Sequence, residues 1–286
     1  VCFIAFAISF CFFILLYFFL TEEGVSREGT LSYFSLPTVP GMTRADFYCY
    51  QGATSPQAIL ILVPGFNGNG KTLVAEAKWQ NYAVKNKLLL IGISFASKIE
   101  DIQNGKGYYY VEKGSGEILL AFLRRLSSKK RPLYMYGFSG GAHFVSRFVE
   151  WAPSEVNGWC AYAAGWWTSP CKRGNAPPGI VACGDNDYRL GSSFCYFKEG
   201  RKIGRRWLWI NITDVGHSPC LALDDFVRDY FEVLIKEYSI QHISVWIDIE
   251  TGEKVCKKFL KKVPSLTGFL PSETLIPKWK NLNKSK

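Results

Sequence analysis

The chain has 286 residues, of which 48% are hydrophobic and 16% aromatic. This is enough apolar material for a large core, and it excludes an intrinsically disordered protein. The length favours one domain, and the sequence contains no internal repeats. The net charge of +10 comes largely from lysines near the C-terminus. Such a tail is more often a solvated face than a site for anionic lipid or acidic polymer, and nothing indicates nucleic-acid recognition.

The N-terminal segment, residues 1–20, is uncharged and almost wholly apolar. As a helix it would be about as long as a bilayer core is thick, so we predict a transmembrane signal anchor. A cleaved signal peptide is the alternative, although no small-residue cleavage motif closes the segment. We therefore expect the rest of the chain to be membrane-anchored facing outside the cytoplasm, or secreted or periplasmic. Residues 21–44 are rich in Gly, Ser, Thr and Pro and are predicted to be a linker.

Seven of the nine cysteines lie outside the apolar segment. An exported location permits disulfides, and bridges from Cys160 to Cys171 or from Cys183 to Cys195 are plausible, although spacing does not fix connectivity. Buried free thiols are the alternative. No close cluster of cysteines and histidines suggests zinc, so we predict no metal site.

Short apolar runs alternate with helix-like patterns through residues 45–240, which we predict to be the folded domain. Strands alternating with helices indicate a mostly parallel sheet covered on both faces. A polar insertion with three consecutive tyrosines interrupts the pattern at residues 97–114. Residues 241–286 are predicted to be a basic extension with a short strand pair. The predicted strands are residues 57–63, 88–95, 133–136, 158–164, 180–183 and 207–212, and the clearest predicted helices are 73–86, 117–126 and 221–235.

Residues 137–141 have the form Gly-x-Ser-x-Gly, and they lie between a predicted strand and a helical pattern. This is the nucleophile-elbow pattern, in which a sharp turn exposes the serine Oγ and the glycines let backbone segments approach closely. The N-terminus of the helix presents free N–H groups to a developing oxyanion, and the first of these belongs to Gly140. Ser139 is therefore the candidate nucleophile.

A rival motif lies at residues 65–72, GFNGNGKT, which satisfy the P-loop pattern G-x-x-x-x-G-K-[ST] between a predicted strand and helix. A P-loop protein also needs an Asp after a second strand to hold the Mg²⁺ shell, and Asp185 or Asp214 could supply it. That interpretation leaves Ser139 and His217 without a use, and export would separate the protein from cellular ATP. A nucleotide-binding protein is thus the weaker alternative.

Taken together, the motifs resemble the α/β-hydrolase superfamily over about residues 45–237. The general likeness is to esterase-like serine hydrolases of the type of secreted feruloyl esterases and polyester depolymerases. The resemblance implies an α/β-hydrolase fold with a mostly parallel central sheet and helices on both faces. Only a short segment follows Trp167 before the next predicted strand, so we expect no large cap domain.

In that family the catalytic groups follow one another along the chain as Ser, then Asp or Glu, then His, each just after a strand. The resemblance implies Ser139 as nucleophile, Asp187 as acid and His217 as base. Asp187 fits the family's G-x-x-D strand end, and Asp185 is the alternative acid. His143 lies inside the elbow helix and is expected to be a packed or supporting residue.

The family's second oxyanion donor comes from the loop after the early strand. The resemblance implies the N–H of Phe66, with Asn67 as the near alternative, beside the N–H of Gly140. Trp166, Trp167 and the tyrosines at 108–110 are candidate walls of an open cleft, or else core residues.

The implied activity is hydrolysis of carboxylic esters, small or polymeric, through an acyl-enzyme and without a metal or organic cofactor. A peptidase or thioesterase would use the same triad. The remaining alternative is a non-catalytic α/β-hydrolase-like binding protein tethered to a membrane.

Overall fold

The computed structural model describes residues 29–127, 129–171, 176–237, 244–262 and 264–283. The described strands form two sheets. In chain order the strands are β1 (Thr30–Ser35), β2 (Arg44–Gln51), β3 (Ala58–Val63), β4 (Leu88–Ala96), β5 (Leu133–Phe138), β6 (Gly158–Tyr162), β7 (Gly179–Gly184), β8 (Trp207–Ile212), β9 (Val245–Asp248) and β10 (Thr267–Leu270). The α-helices are α1 (Gly70–Val74), α2 (Ala77–Lys85), α3 (Ile99–Gln103), α4 (Ser115–Leu126), α5 (Gly140–Trp151), α6 (Leu190–Lys202), α7 (Leu221–Glu237), α8 (Lys257–Lys262) and α9 (Ile276–Leu282).

The main sheet has eight strands in the order β1-β2-β4-β3-β5-β6-β7-β8. Strands β1 and β2 pair antiparallel at one edge, and every pairing from β4 to β8 is parallel. The five strands from β3 to β7 are almost completely buried, because they are continuous apolar runs covered on both faces. The predicted mostly parallel sheet is therefore confirmed. In such a sheet the loops after the carboxyl ends of the strands share one edge, where a site is expected.

The prediction that residues 21–44 form a linker is partly wrong, because Thr30–Ser35 is the edge strand of the main sheet. Its backbone pairs with β2 from Thr30 opposite Gln51 to Ser35 opposite Asp46. The run TLSYFS alternates along its length, which suits an edge strand with one exposed face. The predicted membrane segment, residues 1–20, lies outside the described residues. Among the residues that the structure describes, no helix combines the length and apolar character needed to cross a bilayer.

The C-terminal extension packs against the main sheet. Strands β9 and β10 pair antiparallel, as a strand pair was predicted there. Trp279 is buried and its indole N–H donates to the Trp209 carbonyl at 2.8 Å, while the Asn283 side chain accepts from the N–H of Asn211 at 2.7 Å. These bonds satisfy backbone groups on the outer edge of β8. They cover a sheet edge that would otherwise be exposed.

Neither of the two disulfides considered plausible from the sequence is present, since Cys160, Cys171, Cys183 and Cys195 are all unbridged. Cys160 and Cys183 are fully buried within β6 and β7, whereas Cys195 is exposed on α6. Burial raises the pKa of the Cys183 thiol to about 12, so it behaves as a small apolar side chain. The alternative of buried thiols therefore holds for Cys160 and Cys183.

Two local details depart from the sequence prediction. The helix predicted at residues 73–86 is two helices, α1 and α2, and α6 was not predicted at all. Between β6 and β7, residues 163–171 and 176–178 form neither helix nor strand, so no cap domain is built there by the described residues.

Candidate active site

Ser139 lies at a sharp turn between β5 and α5, with φ 51° and ψ −112°. A non-glycine residue in this region is strained, and such strain is common at functional sites. The flanking glycines permit the turn because a Cβ on Gly137 would come within 2.4 Å of the Gly141 oxygen, and one on Gly141 within 2.1 Å of the Val63 oxygen. The predicted elbow geometry is therefore present.

His217 lies beside Ser139, on the loop that follows β8. Its Nε2 is 2.9 Å from Ser139 Oγ, and its Nδ1 is 2.7 Å from Asp187 Oδ2. With the proton on Nδ1, the imidazole donates to Asp187 and accepts from the serine hydroxyl. The structure thus brings together three residues that the sequence separates widely, and a hydroxyl held in this way can be activated as a nucleophile.

Asp187 has hydrogen-bond donors on both carboxylate oxygens. Its Oδ1 accepts from the backbone N–H and from the guanidinium of Arg189, both at 3.0 Å, and its side chain is completely buried. Burial by itself raises the pKa of Asp187, but the bonds from the Arg189 backbone, His217 and the Arg189 guanidinium together hold that pKa below its usual value. Asp185, the alternative acid, has a buried Oδ1 with no hydrogen-bond partner among the described residues.

Tyr162, at the end of β6, connects the serine turn to the histidine loop. Its carbonyl accepts the N–H of Ser139 at 2.8 Å, and its hydroxyl donates to the carbonyl of Ser218 at 2.7 Å. Its ring contacts Phe138, which in turn stacks on His217 with centroids 5.0 Å apart. Tyr162 therefore fixes the two sides of the site relative to each other.

Two residues that could donate backbone N–H groups, Phe66 and Gly140, lie next to Ser139. A Cβ on Gly140 would lie 2.6 Å from the nitrogen of Phe66, so these two residues are in close contact, and a Cβ on Gly65 would lie 3.8 Å from Ser139 Cβ. Among the described residues, neither N–H has a hydrogen-bond acceptor. The N–H of Asn67, the alternative donor, faces the Tyr108 hydroxyl at 3.4 Å. The pair Phe66 and Gly140 thus has the arrangement of an oxyanion hole.

In the loop that matches the P-loop pattern, backbone N–H groups are bonded to other groups of the protein. The N–H of Gly70 donates to Ser94 Oγ at 2.7 Å, and that of Lys71 donates to Asn69 Oδ1 at 2.9 Å. A phosphate-binding loop needs such N–H groups to face the ligand. The geometry therefore does not support the nucleotide-binding alternative.

Aromatic rings line one side of the site. Tyr109, from the tyrosine insertion, contacts Phe66 at 6.0 Å, His143 at 4.5 Å and Trp166 at 5.5 Å between ring centroids. Phe66 and Trp166 are 39% and 45% exposed, so they form part of the surface, whereas Trp167 is partly buried, stacks on Tyr196 and packs against the core. One tryptophan of the predicted pair is thus a wall residue, and the other packs against the core.

His143 is a supporting residue on α5. Its Nε2 accepts the N–H of Gly165 at 2.9 Å, and its ring is buried. Burial, followed by the charges of Arg147 and Arg189, lowers the pKa of His143 well below its ordinary value, so the ring is neutral at physiological pH.

Sequence reasoning missed Arg189 and Tyr162. Arg189 follows Asp187 by two residues, which is a signal that could have been used, but the role of Tyr162 depends on contacts across three strands. In the described residues no group of three or more His, Cys, Asp or Glu side chains converges as metal ligands do.

Comparison with solved structures shows a shared fold at low sequence identity. An S-formylglutathione hydrolase from Agrobacterium tumefaciens has a TM-score of 0.56 at 14% identity, with 76% of this chain and 98% of that chain covered. A hyperthermophilic esterase from the archaeon Pyrobaculum calidifontis has a TM-score of 0.55 at 11% identity, covering 74% and 87%. A ferulic acid esterase has a TM-score of 0.54 at 12% identity, covering 73% and 97%.

No protein-family model matches the sequence, and no curated protein matches it. These solved structures share the fold of this chain, a mostly parallel sheet covered by helices, which confirms the fold predicted from the sequence.

Proposed function

We propose that this protein is a serine hydrolase that cleaves carboxylic esters through an acyl-enzyme intermediate. The observation that carries the proposal is the line of two hydrogen bonds, 2.9 Å from Ser139 Oγ to His217 Nε2 and 2.7 Å from His217 Nδ1 to Asp187 Oδ2. Solved proteins of the same fold are named as esterases and an S-formylglutathione hydrolase, which supports the choice of acyl transfer.

In the acylation step, Ser139 Oγ attacks the ester carbonyl carbon while His217 Nε2 takes the hydroxyl proton. The negative charge on the carbonyl oxygen is stabilised by the N–H groups of Phe66 and Gly140. Asp187 stabilises the imidazolium and holds its Nδ1 proton. The tetrahedral intermediate then collapses, His217 protonates the departing alkoxide, and the alcohol leaves.

In the deacylation step, a water molecule attacks the acyl carbon with His217 as base. The second tetrahedral intermediate collapses, the proton returns to Ser139 Oγ, and a carboxylic acid is released. No step calls on a metal or an organic cofactor. The half-exposed rings of Phe66 and Trp166 suit a small-molecule or polymeric ester that enters from the surface.

The test is hydrolysis of p-nitrophenyl esters of graded acyl length, with a thioester and a peptide amide measured in parallel. Ser139→Ala is expected to lower kcat/KM by at least ~10³-fold without a change in Tm. Ser154→Ala, an exposed serine on the far end of the sheet, serves as the matched control. Ester turnover that persists in Ser139→Ala would contradict the proposal. If wild type cleaves the thioester or the peptide amide faster than the esters, the substrate class is a thioester or a peptide instead of a carboxylic ester.

We also propose that residues 1–20 tether the protein to a membrane, or direct its export, with the hydrolase outside the cytoplasm. The support is the uncharged apolar sequence of those residues. Fractionation of cells that express the chain, followed by protease treatment of intact cells, tests this. Recovery of the protein in the cytosolic fraction would contradict it.

A further inference from the structure

Arg147 is a buried arginine on α5, two helical turns after Ser139. Arg147 is only 8% exposed, and its polar contacts are with neutral groups. Nε donates to Thr168 Oγ1 at 3.0 Å, and Nη1 lies 3.2 Å from His143 Nδ1 and 3.4 Å from the His143 carbonyl. The guanidinium also lies over the rings of Tyr110 and Trp166, at 5.6 and 5.7 Å. It is thus held in place on several sides.

The charge of Arg147 lacks a carboxylate partner. In the part of the chain that the structure describes, no acidic side chain forms an ion pair with it, whereas Arg189 pairs with Asp187 and Arg205 with Glu150. A buried charge is normally paired, because an unpaired one is costly. The third nitrogen, Nη2, has no hydrogen-bond partner among the described residues, and it is accessible to solvent. A rigid guanidinium therefore keeps one donor nitrogen for an external group.

A continuous aromatic wall connects this arginine to the candidate oxyanion hole. The ring of Phe66 contacts Tyr109 at 6.0 Å, Tyr109 contacts Trp166 at 5.5 Å, and Trp166 lies over Arg147. The contact of Nη1 with the His143 carbonyl shows that the guanidinium folds back by about one turn along α5. Its distance from the level of Ser139 is therefore roughly 6–12 Å, since a helix rises ~1.5 Å per residue.

We propose that Arg147 is a specificity residue that binds a carboxylate on the ester substrate, at the end of the wall formed by Phe66, Tyr109 and Trp166. The preferred substrates are then half-esters of dicarboxylic acids, whose apolar or aromatic spacer lies along the wall. Guanidinium groups match carboxylates in planar geometry, which makes arginine well suited to this contact. The inference rests on the proposed ester hydrolysis and adds the class of acid that is released.

The experiment compares the mono-p-nitrophenyl ester of suberic acid with the methyl ester of the same compound, which lacks the charge. The readout is the ratio of the two kcat/KM values in wild type, Arg147→Met and Arg147→Lys. We expect wild type to favour the charged ester by about 10-fold or more, and Arg147→Met to lose most of that preference. Arg147→Lys is expected to retain part of it. High salt should weaken the preference in wild type.

Arg228→Met is the matched control, because Arg228 is also 8% exposed and lies over the Trp79 ring at 4.5 Å, but it is paired with Asp225. It should leave the ratio unchanged. Equal rates for the two esters in wild type, or a preference that survives in Arg147→Met, would overturn the assignment.

A separate binding measurement distinguishes failure of this inference from failure of the hydrolase proposal. Calorimetry with monomethyl suberate on Ser139→Ala measures the carboxylate contact without turnover. If neither ester is hydrolysed, the proposed function is wrong. The carboxylate site at Arg147 is still supported if Ser139→Ala binds monomethyl suberate and the double variant Ser139→Ala/Arg147→Met does not. No binding, or binding that is unaffected by Arg147→Met, counts against it.

Discussion

At the scale of single residues, the Asp187 carboxylate is surrounded by groups that can act only as hydrogen-bond donors. The three groups that contact the Asp187 carboxylate are His217 Nδ1, the Arg189 backbone N–H and the Arg189 guanidinium. Because all three are donors, an ionised carboxylate satisfies them all, and its charge holds the histidine in the tautomer that leaves Nε2 free for Ser139.

Asp187→Asn should therefore lower kcat by about 10²–10⁴-fold, because an amide offers one acceptor oxygen and turns its NH₂ toward a donor. Asp185→Asn is the control and should change kcat by less than about 10-fold, because its side chain has no bond to His217 among the described residues. Steady-state kinetics on p-nitrophenyl esters measure both. A larger loss in Asp185→Asn would move the acid to that residue.

Tyr162→Phe tests a residue that acts through its neighbours. The change removes the bond to the Ser218 carbonyl but keeps the ring and the carbonyl that accepts the Ser139 N–H. We expect kcat to fall by about 2–12-fold, the worth of one hydrogen bond, with KM nearly unchanged, since substrate contacts are not altered. Tyr33→Phe also removes one hydroxyl contact, to Asp46 at the far sheet edge, and should leave kcat unchanged. A rise in KM with constant kcat would contradict the positioning role.

At the scale of elements, close backbone contact between β3, β5 and α5 creates the serine turn. Gly141 lies directly against the Val63 carbonyl, and Gly137 against Gly141. Backbone atoms occupy the space in which a Cβ on Gly137 or Gly141 would lie. The first turn of α5 can therefore lie close to the site, where its N–H groups have no partner within the helix.

Gly141→Ala should lower Tm by about 3–10 °C, because the added Cβ would lie 2.1 Å from a backbone oxygen that cannot move freely. Gly191→Ala is the matched control. Gly191 lies in α6, and no atom of the described residues would be within 4 Å of an added Cβ, so alanine should leave Tm unchanged or raise it slightly. Thermal unfolding followed by circular dichroism measures both variants, and equal Tm values for the two would refute the packing argument.

The elements that the sequence predicted are those with strong local signals. Continuous apolar runs predicted β3 to β8 well, and the Gly-x-Ser-x-Gly pattern located Ser139. Strand β1 was assigned to a linker because TLSYFS has short polar residues and becomes a strand only by pairing with β2. Helix α6 was missed because its sequence LGSSFCYFKEGRK has a weak apolar stripe. The contacts of Arg189, Tyr162 and Arg147 could not be predicted, since they depend on how loops from different strands meet.

At the scale of the whole molecule, the C-terminal extension completes the domain. Trp279 and Leu282 are buried, and the extension supplies acceptors and donors for the outer edge of β8. Arg201 on α6 is also held by the extension, since its Nε donates to the Thr267 carbonyl at 2.7 Å. The strand that precedes the histidine loop is thus covered by the end of the chain.

Trp279→Ala should lower the free energy of unfolding by about 3–5 kcal/mol, because it leaves a large cavity and an unpaired carbonyl on Trp209. Tyr188→Ala, at an aromatic residue that is 84% exposed, should change it by less than ~0.5 kcal/mol. Urea denaturation measures the two free energies. A Trp279→Ala value close to that of the control would mean that the extension is not part of the cooperative fold.

The central claim is that Ser139 is an activated nucleophile, and covalent labelling tests it most directly. The protein is treated with a fluorophosphonate probe, and the modified residue is identified by mass spectrometry of the digested protein, with Ser139→Ala and Ser154→Ala in parallel. Our account predicts one probe on Ser139 in wild type and in Ser154→Ala, and none in Ser139→Ala. A folded wild-type protein that takes no label, or takes it at another residue, would contradict the account.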